Sequence, residues 1–295
     1  MKKMQEPIED PLSKLTQYSG KTFVIKYGGS IMKNKKAEEA FIKDVKYLRK
    51  LGINIVIVHG GGPEISRWLE LSGIESRFVD GLRVTDEKVI EIVQMVLSGK
   101  INKKLSLQFN IDGVNAVGLS GVDNKLIEAT KKYVYKGNET IDIGYVGKVT
   151  KVNSEFIKEL LKGGQVPVIA PIGCDNKGNV YNINADYAAA FISSALDAEK
   201  LIILTDVEGV YRNINDPQSI IHEIDIKDVN YYIKEEIIKG GMIPKVQCCA
   251  SAIENGTKNV QLIDGRNDHC LINDILNYRG TIISYRSGVK CQKAI

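Results

Sequence analysis

Two lysines in this chain stand beside pairs of glycines. Lys26 ends an apolar run and is followed, after one residue, by Gly28 and Gly29. Lys245 follows the glycine pair 240–241 and a proline. A cation next to backbone that can approach a ligand closely is suited to binding phosphate. Taken one at a time, each pattern is equally compatible with a surface lysine at a tight turn.

Three consecutive glycines, 60–62, separate an apolar run from a helix start at Pro63. Backbone N–H groups at the N-terminus of a helix attract anions. The segment is not a dinucleotide-binding GxGxxG motif, because Ile65 holds its last position. A Walker A motif is also excluded, because Leu15 stands where the segment 20–22 (GKT) requires an earlier glycine. A nucleotide bound by this chain is therefore not held as in P-loop enzymes.

Polar side chains in three further segments could bind a small anionic substrate. Arg83, in the glycine-containing loop FVDGLRVT, could hold a carboxylate through two hydrogen bonds. Asn182, Asn184 and Asp186 alternate at a strand end, so all three could point the same way, although one is expected to cap the following helix. The segment 205–211 runs from an apolar strand into a polar turn. In isolation, a surface arginine and a solvated turn are the commoner interpretations.

Short β-rich segments alternate with amphipathic ones, which is typical of a mainly parallel sheet covered by helices. The apolar run 53–59 is predicted to be a strand buried on both faces, and we expect His59 at its end to pack or form a hydrogen bond rather than act as a base. The segment 127–152 is predicted to form hairpins beside the sheet. We predict an α/β protein with an N-terminal extension at 1–20, an N-terminal lobe at 21–173 and a C-terminal lobe at 174–295.

Composition excludes several classes of protein. Of the 295 residues, 43% are apolar and 26% are charged, and the net charge of +4 is spread along the chain, unlike that of a nucleic-acid-binding protein. The five cysteines form no CxxC pair and there are three histidines, so neither a zinc site nor a disulfide framework is indicated. Without a signal peptide or an apolar run of the roughly 20 residues that a membrane span requires, we expect a cytoplasmic protein.

Six motifs occur together in one order: KYGGS, VHGGGPEI, FVDGLRVT, NINADYAAA, LTDVEGVY and GGMIPKV. In this combination the chain resembles the amino acid kinase superfamily, and within it the acetylglutamate kinase family, from residue 21 to about 283. The motif FVDGLRVT resembles that family's acceptor site and separates it from carbamate, uridylate and aspartate kinases. The resemblance implies a three-layer αβα sandwich around a mainly parallel open sheet, with the amino acid in the N-terminal lobe and ATP in the C-terminal lobe.

The resemblance also implies roles for individual residues. Lys26 and Lys245 would contact the transferring phosphoryl group, and Asp186 would orient both lysines. Mg²⁺ would be carried on the ATP phosphates without dedicated metal ligands from the protein. The acceptor-binding residues would be Gly61, Gly62, Arg83 and Asn182, and the nucleotide-binding residues would be Gly28, Gly29, Thr205, Asp206 and Tyr211.

The implied reaction transfers the terminal phosphoryl group of ATP to the γ-carboxylate of N-acetyl-L-glutamate, a step of L-arginine biosynthesis. A carboxylate is already ionised at neutral pH, so this nucleophile requires no general base. Two lysines, glycine N–H groups and Mg²⁺ would stabilise the charge of an in-line transfer. The alternatives are a kinase of a related acyl amino acid, such as an aminoadipate derivative, and a sensor that binds amino acid and nucleotide without turnover. An RNA-binding module is a remote third possibility.

The N-terminal extension carries Ile8, Leu12, Leu15 and Tyr18 at helical spacing, which predicts a short amphipathic helix; a disordered tail is the alternative. In the resembled family such a helix accompanies hexamers and inhibition by L-arginine. The chain is thus expected to form a homo-oligomer, a dimer or a hexamer, with L-arginine as a possible effector. The family's arginine-site features have counterparts in His269, Gly280 and Thr281, but the segment 270–279 is short and Asp274 replaces the usual glutamate.

Overall fold

The structure, a computed structural model, describes residues 13–32 and 34–285. Its strands comprise a large central sheet, a small closed sheet and two short hairpins. They are β1 Thr22–Tyr27, β2 Asn54–His59, β3 Phe78–Val79, β4 Leu82–Arg83, β5 Ala116–Ser120, β6 Ile127–Lys136, β7 Glu139–Val152, β8 Val166–Ala170, β9 Ile172–Cys174, β10 Val180–Asn182, β11 Lys200–Thr205, β12 Val210–Tyr211, β13 Ile220–Ile221, β14 Glu223–Asp225, β15 Asn259–Asp264 and β16 Thr281–Ser284.

Helices connect most of the strands of the central sheet, as the alternation in the sequence predicted. Short 3₁₀ turns occur at Asp123–Lys125, Pro217–Ser219 and Ile226–Asp228, and a π-helical segment spans Met95–Ile101. The α-helices are α1 Ser13–Thr16, α2 Gly29–Met32, α3 Lys35–Lys50, α4 Gly62–Leu71, α5 Glu87–Gln94, α6 Asn102–Ile111, α7 Ser154–Lys162, α8 Ala185–Ala195, α9 Val229–Lys234, α10 Met242–Glu254 and α11 Cys270–Leu276.

Eight strands form the central sheet in the order β14-β16-β15-β11-β1-β2-β8-β5. Every neighbouring pair is parallel except β15 with β16. The predicted α/β class and mainly parallel sheet are confirmed. Strand β1 lies inside the sheet, where Phe23 pairs with Ile55 on one side and with Lys200 on the other. One continuous sheet therefore joins the two segments that we predicted as lobes, and the bounds of those lobes stay a prediction.

Successive residues of β1 face opposite helical layers, because side chains alternate across a strand. Val24 packs into a core formed with α7, α8 and α10, whereas Phe23 and Ile25 pack into a core formed with α3, α6 and α11. Val24 on one face of the strand and Phe23 and Ile25 on the other are fully buried. These two cores on the two sides of one sheet make the three-layer sandwich that was predicted.

The helical region after β4 differs from its prediction. The sequence predicted separate helices at 86–100 and 102–111, but α5, the π-helical segment and α6 follow one another without a break. A π-helical turn accommodates an extra residue and changes the direction in which the following side chains point. This helix packs against β5 and β8 through α6.

The segment 127–152 forms one long hairpin, β6-β7, rather than several, with register shifts after Glu128 and after Lys131. This hairpin and β9-β10 close into a four-stranded sheet. The predicted turn at 176–178 joins β9 to β10, and Asp175 fixes it by accepting hydrogen bonds from Lys177 N and Asn179 N. The small sheet carries Asn182 to the edge of the central one.

The described end of the N-terminal extension packs against the protein's own core. Leu15 of α1 is fully buried, and the Tyr18 ring lies 5.2 Å from that of Phe23. Ile8 and Leu12, the other members of the predicted apolar stripe, lie outside the described residues. No helix in the described part of the chain combines the length and apolarity that crossing a bilayer requires.

Aromatic packing at Phe41 gives a test of this core. The Phe41 ring lies 4.8 Å from that of Tyr27 on β1 and 5.9 Å from that of Phe109 on α6. We expect Phe41→Ala to lower the free energy of unfolding by about 3–5 kcal/mol, because it leaves a cavity between three elements. Urea unfolding measures this, with Tyr135→Ala as a control at a well-exposed site. A loss of less than about 1 kcal/mol at Phe41 would contradict the packing described.

Candidate active site

Three charged side chains from distant parts of the chain meet at one edge of the central sheet. Lys26 lies near the end of β1, Asp186 in the first turn of α8, and Lys245 in the first turn of α10. The Asp186 carboxylate lies between the lysines, with Oδ1 3.1 Å from Lys26 Nζ and Oδ2 2.7 Å from Lys245 Nζ. All three side chains are less than one-fifth exposed. We call this group the lysine–aspartate triad.

Charge interactions dominate the protonation of the triad. Burial opposes ionisation of Asp186, but the charges of Lys26 and Lys245 and their hydrogen bonds hold the pKa of its carboxyl below the usual value. Burial likewise disfavours a charged Lys245, yet the nearby Asp186 raises its pKa. Asp186 is therefore ionised at neutral pH. Two ammonium groups facing one carboxylate leave the triad with a net positive charge, which attracts anions.

The helix start at α8 explains how Asp186 is held. Asn184 caps the helix, since its Oδ1 accepts hydrogen bonds from Asp186 N at 2.9 Å and from Tyr187 N at 3.3 Å. Asn182 donates from Nδ2 to Thr85 Oγ1 at 3.2 Å. Of the three alternating residues that could point the same way, Asn184 is thus engaged with backbone, as expected for one of them. The Asn182 side chain instead contacts Thr85, and the Asp186 side chain contacts the two lysines of the triad.

A cavity of about 230 Å³ lies on one side of the triad. Its wall includes Arg83, which is buried beneath Phe78, with the guanidinium carbon 4.7 Å from the ring centre. Gly61, Gly62 and Asn182 line the same cavity, together with Lys26 and Asp186. The structure thus places all four predicted acceptor-binding residues around one space, which we call the acceptor cavity.

Arg83 is held by uncharged groups. Its Nη2 donates to Gly62 O at 3.1 Å and to Ser66 Oγ at 2.9 Å, and its Nη1 donates to Ser76 Oγ. Burial lowers the pKa of its guanidinium. Within residues 13–32 and 34–285 the guanidinium has no carboxylate partner. Ser66 and Ser76 were not singled out from the sequence, because isolated serines carry no motif.

A second cavity, of about 470 Å³, is lined by Lys26 and Lys245 of the triad. Lys26 and Gly29 line both this space and the acceptor cavity. We call it the donor cavity. The two cavities therefore share a lysine ammonium group and glycine backbone in their walls. The other lining residues are Gly28, Pro63, Leu204, Thr205, Asp206, Lys245 and Arg266.

Tyr211 is the one predicted nucleotide-binding residue that does not line the donor cavity. It lies on β12, and its hydroxyl donates to Glu208 Oε2 at 3.0 Å. Arg266 lines that cavity and was missed by the sequence analysis. It follows β15, and Asp264 accepts hydrogen bonds from its Nε at 2.9 Å and from its Nη2 at 2.8 Å. Its position after the carboxyl end of a parallel strand was the available signal.

Metal binding has no dedicated centre in the described part of the chain. No group of three or more His, Cys, Asp or Glu side chains between residues 13 and 285, residue 33 apart, is arranged to hold an ion. Asp206 is the carboxylate that lines the donor cavity, and its Oδ1 accepts a hydrogen bond from Thr205 Oγ1 at 3.3 Å.

Solved structures resemble this chain closely in fold. The N-acetylglutamate synthase of Neisseria gonorrhoeae, in complex with coenzyme A and N-acetyl-glutamate, matches with a TM-score of 0.81 over 94% of this chain at 23% sequence identity. This chain spans 62% of that synthase. The smu.665 protein of Streptococcus mutans UA159 matches with a TM-score of 0.72 and 30% identity, over 89% of this chain and 98% of its own.

Sequence comparison is more specific. The acetylglutamate kinase of Caldanaerobacter subterraneus subsp. tengcongensis is 49% identical over 271 residues, which cover 92% of this chain and 89% of the relative. That of Heliobacterium modesticaldum is 46% identical over 276 residues, with coverage of 92% and 94%. The model of the amino acid kinase family matches residues 21–264, a span that contains the triad and every lining residue of the two cavities except Arg266. The chain belongs to the amino acid kinase family.

Proposed function

We propose that this protein is an ATP-dependent kinase of N-acetyl-L-glutamate, which it converts to N-acetyl-L-glutamyl 5-phosphate in L-arginine biosynthesis. The observation that carries the proposal is the positive triad at the junction of two cavities. A kinase has to bring two anions together, and a shared cationic wall does this. Relatives named acetylglutamate kinase at 43–49% identity support the choice of acceptor.

The proposed mechanism is a direct in-line transfer. The acceptor's side-chain carboxylate attacks the terminal phosphorus without a general base, since it is already ionised. Lys26 and Lys245 stabilise negative charge on the transferring group, and Asp186 keeps the two lysines at fixed positions. Gly28 and Gly29 offer backbone N–H groups to the phosphates. Holding both reactants in adjoining cavities also lowers the barrier to transfer, because it makes the reaction effectively unimolecular.

The other roles follow from the lining of the cavities. Arg83 and Asn182 bind the α-carboxylate of the acceptor, and Gly61 and Gly62 bind its reacting end. Thr205 and Asp206 line the nucleotide side, and the role of Tyr211 there rests on the resemblance of its motif alone. Mg²⁺ fits this donor cavity as an ion held mainly by phosphate oxygens and water, since Asp206 is its lining carboxylate. When bound, it would offset the charge of the phosphates.

We further propose a homo-oligomer, hexameric or dimeric, with L-arginine as an effector and a cytoplasmic location. Four described cysteines are free thiols, which suits a reducing compartment. Near the end of the described chain, His269 Nδ1 lies 2.6 Å from the buried carboxylate of Asp44. Burial raises the pKa of the neighbouring Asp274 to about 6. The proposed effector site rests on the resemblance of His269, Gly280 and Thr281 to the family's arginine-site features.

The triad gives the first functional prediction. We expect Lys26→Ala or Lys245→Ala to lower kcat roughly 10³-fold in a coupled ADP-release assay, because each removes a cation that stabilises the transition state. Lys158→Ala is the control, since that lysine is exposed on α7. Running the assay with N-acetylglutamate, glutamate, aspartate and N-acetyl-aminoadipate identifies the acceptor. Near-normal turnover in a folded variant would remove that lysine from the mechanism, and nucleotide binding without turnover of any acceptor would favour a sensor.

Arg83 gives the second functional prediction. Arg83→Ala should raise KM for N-acetylglutamate by roughly 10- to 100-fold, because hydrogen bonds to a charged group are lost, while KM for ATP stays nearly constant. Arg67→Ala on α4 is a matched control, since that arginine is exposed and pairs only locally with Glu64. Steady-state kinetics with each substrate varied in turn separates the two constants. An equal effect on both substrates would argue against binding of the acceptor at Arg83.

Oligomeric state and inhibition are tested separately. We expect light scattering to show a hexamer that deletion of residues 1–20 reduces to dimers, with catalysis largely retained. The same state for both proteins would refute a role of the extension in assembly.

An L-arginine titration of the full-length enzyme, with His269→Ala for comparison, tests the effector. Inhibition that His269→Ala leaves unchanged would place the effector elsewhere.

A further inference from the structure

A buried histidine touches the glycine turn that lines the acceptor cavity. His59 ends β2 and has no exposed surface. Its Nδ1 lies 3.0 Å from Gly60 O, and its Nε2 lies 3.1 Å from Asn102 Nδ2. Neither contact involves a charged group. The mechanism described above does not use His59, so its burial at this position calls for a separate physical reason.

The two strand carbonyls beside Asn102 determine which nitrogen of His59 carries the proton. Asn102 Nδ2 lies 3.0 Å from Leu119 O and 2.8 Å from Val168 O. Carbonyl oxygens only accept hydrogen bonds, so the amide nitrogen and not the amide oxygen must face them. The two amide hydrogens are then shared among these two carbonyls and His59 Nε2, and because an amide nitrogen accepts no hydrogen bond, Nε2 must be the unprotonated nitrogen of His59. Its proton is therefore on Nδ1, which donates to Gly60 O.

The protonation state agrees with this tautomer. Burial lowers the pKa of His59 to about 4, although the hydrogen bond to Gly60 acts in the opposite direction. The imidazole is thus neutral over the physiological range. A neutral ring has one donor and one acceptor nitrogen; here the donor, Nδ1, bonds to Gly60 O, and the acceptor, Nε2, faces the Asn102 amide.

The hydrogen bond at Gly60 sets the direction of the next N–H group. In a planar trans peptide the C=O of one residue and the N–H of the following residue point in opposite directions. Because Gly60 O points toward His59 in the protein interior, the N–H of Gly61 points away from it. Gly61 lines the acceptor cavity. A peptide between two glycines rotates easily, so its orientation depends on such a contact.

The helix that carries Asn102 also presses on the same turn. A Cβ atom on Gly61 would lie 2.5 Å from Leu97 Cδ2 and 2.5 Å from Ile101 Cδ1. Both residues belong to the π-helical segment, and Asn102 is the first residue after it. The segment therefore brings apolar contacts to Gly61 and an amide to His59 from one continuous helix. The Asn102 side chain reaches β5 and β8 as well, which ties the helix to the sheet.

We infer that Asn102 is a positioning residue for phosphoryl transfer, which acts through His59 to keep the N–H of Gly61 directed into the acceptor cavity. The inference rests on the proposed function, because it assigns that N–H group to the reacting carboxylate of the acceptor. Asn102 itself touches neither substrate nor triad. Its effect is confined to the acceptor side, since the donor cavity is lined by other residues.

Kinetics with a matched control tests this role. Asn102→Ala should lower kcat/KM for N-acetylglutamate at least about tenfold and change KM for ATP less than about twofold, because one N–H group toward the acceptor is lost. Asn110→Ala is the control: Asn110 lies on the same helix and makes two amide hydrogen bonds to Ala116 of β5. It should lower the melting temperature without changing kcat/KM. Wild-type kcat/KM in folded Asn102→Ala, or equal losses in both variants, would overturn the inference.

A second pair of variants applies if Asn102→Ala does not fold. The side-chain nitrogen of asparagine can occupy the place of His59 Nδ1, so His59→Asn should retain the hydrogen bond to Gly60 O, whereas His59→Leu removes it. We expect His59→Asn to keep kcat/KM within a few-fold of the wild type, and His59→Leu to lose at least about tenfold. Equal activity of the two folded variants would overturn the inference.

Nitrogen-15 NMR tests the geometry without any substrate. The chain has three histidines, so their ring signals are assigned by single substitutions. His59 should show a protonated Nδ1 and an unprotonated Nε2 at neutral pH and lose this single tautomer in Asn102→Ala. A protonated Nε2 in the wild type would overturn the inference. If the wild type instead showed the expected tautomer but no ADP release with N-acetylglutamate, the proposed function would fail and the geometry would stand.

Discussion

One carboxylate placed between two ammonium groups holds the active site together. Lys26 comes from the strand at the centre of the sheet, Lys245 from a helix near the end of the chain, and Asp186 from a helix between them in sequence. Two lysines that converge on a half-buried site repel each other unless an anion separates them. Asp186 supplies that anion and remains ionised because the lysines are there. Both cavities are lined by members of this triad.

Arg83, a second buried cation, differs from the lysines of the triad in the groups that surround it. Arg83 is surrounded by hydroxyl and carbonyl oxygens from Ser66, Ser76 and Gly62, with no ion pair in the described part of the chain. Neutral acceptors fix the direction of the guanidinium but do not cancel its charge. The site therefore combines a triad whose positive charge is only partly offset by Asp186 with an arginine in the wall of the acceptor cavity whose charge is not offset by a carboxylate of the described chain. This division suits an acceptor that carries a second carboxylate away from the reacting one.

The triad and most of the cavity lining were predicted from six motifs taken together and from the family that they resemble, since each motif alone was compatible with an ordinary turn. Lys26 and Lys245 stand near glycine pairs, and Asp186 follows a predicted helix cap. These patterns can be recognised in the sequence without knowledge of the tertiary structure. The parallel sheet was predictable for a similar reason, since strands buried on both faces are continuously apolar. What could not be predicted depends on packing between distant segments. Arg266 has no distinguishing motif, and nothing in the helical periodicity of 86–111 signals a π-helical turn.

The central position of β1 also has a consequence for how the chain folds during synthesis. This strand is made early, but one of its two neighbours, β11, begins at Lys200, which pairs with Phe23. At about 5–20 residues per second the ribosome needs roughly 10 to 35 s to deliver that partner. Until then one apolar edge of β1 has no strand beside it and is open to pairing with another chain. Aggregation during synthesis is therefore expected to begin at this edge of β1 before β11 has been made, and it would be reduced by chaperones that shield this edge.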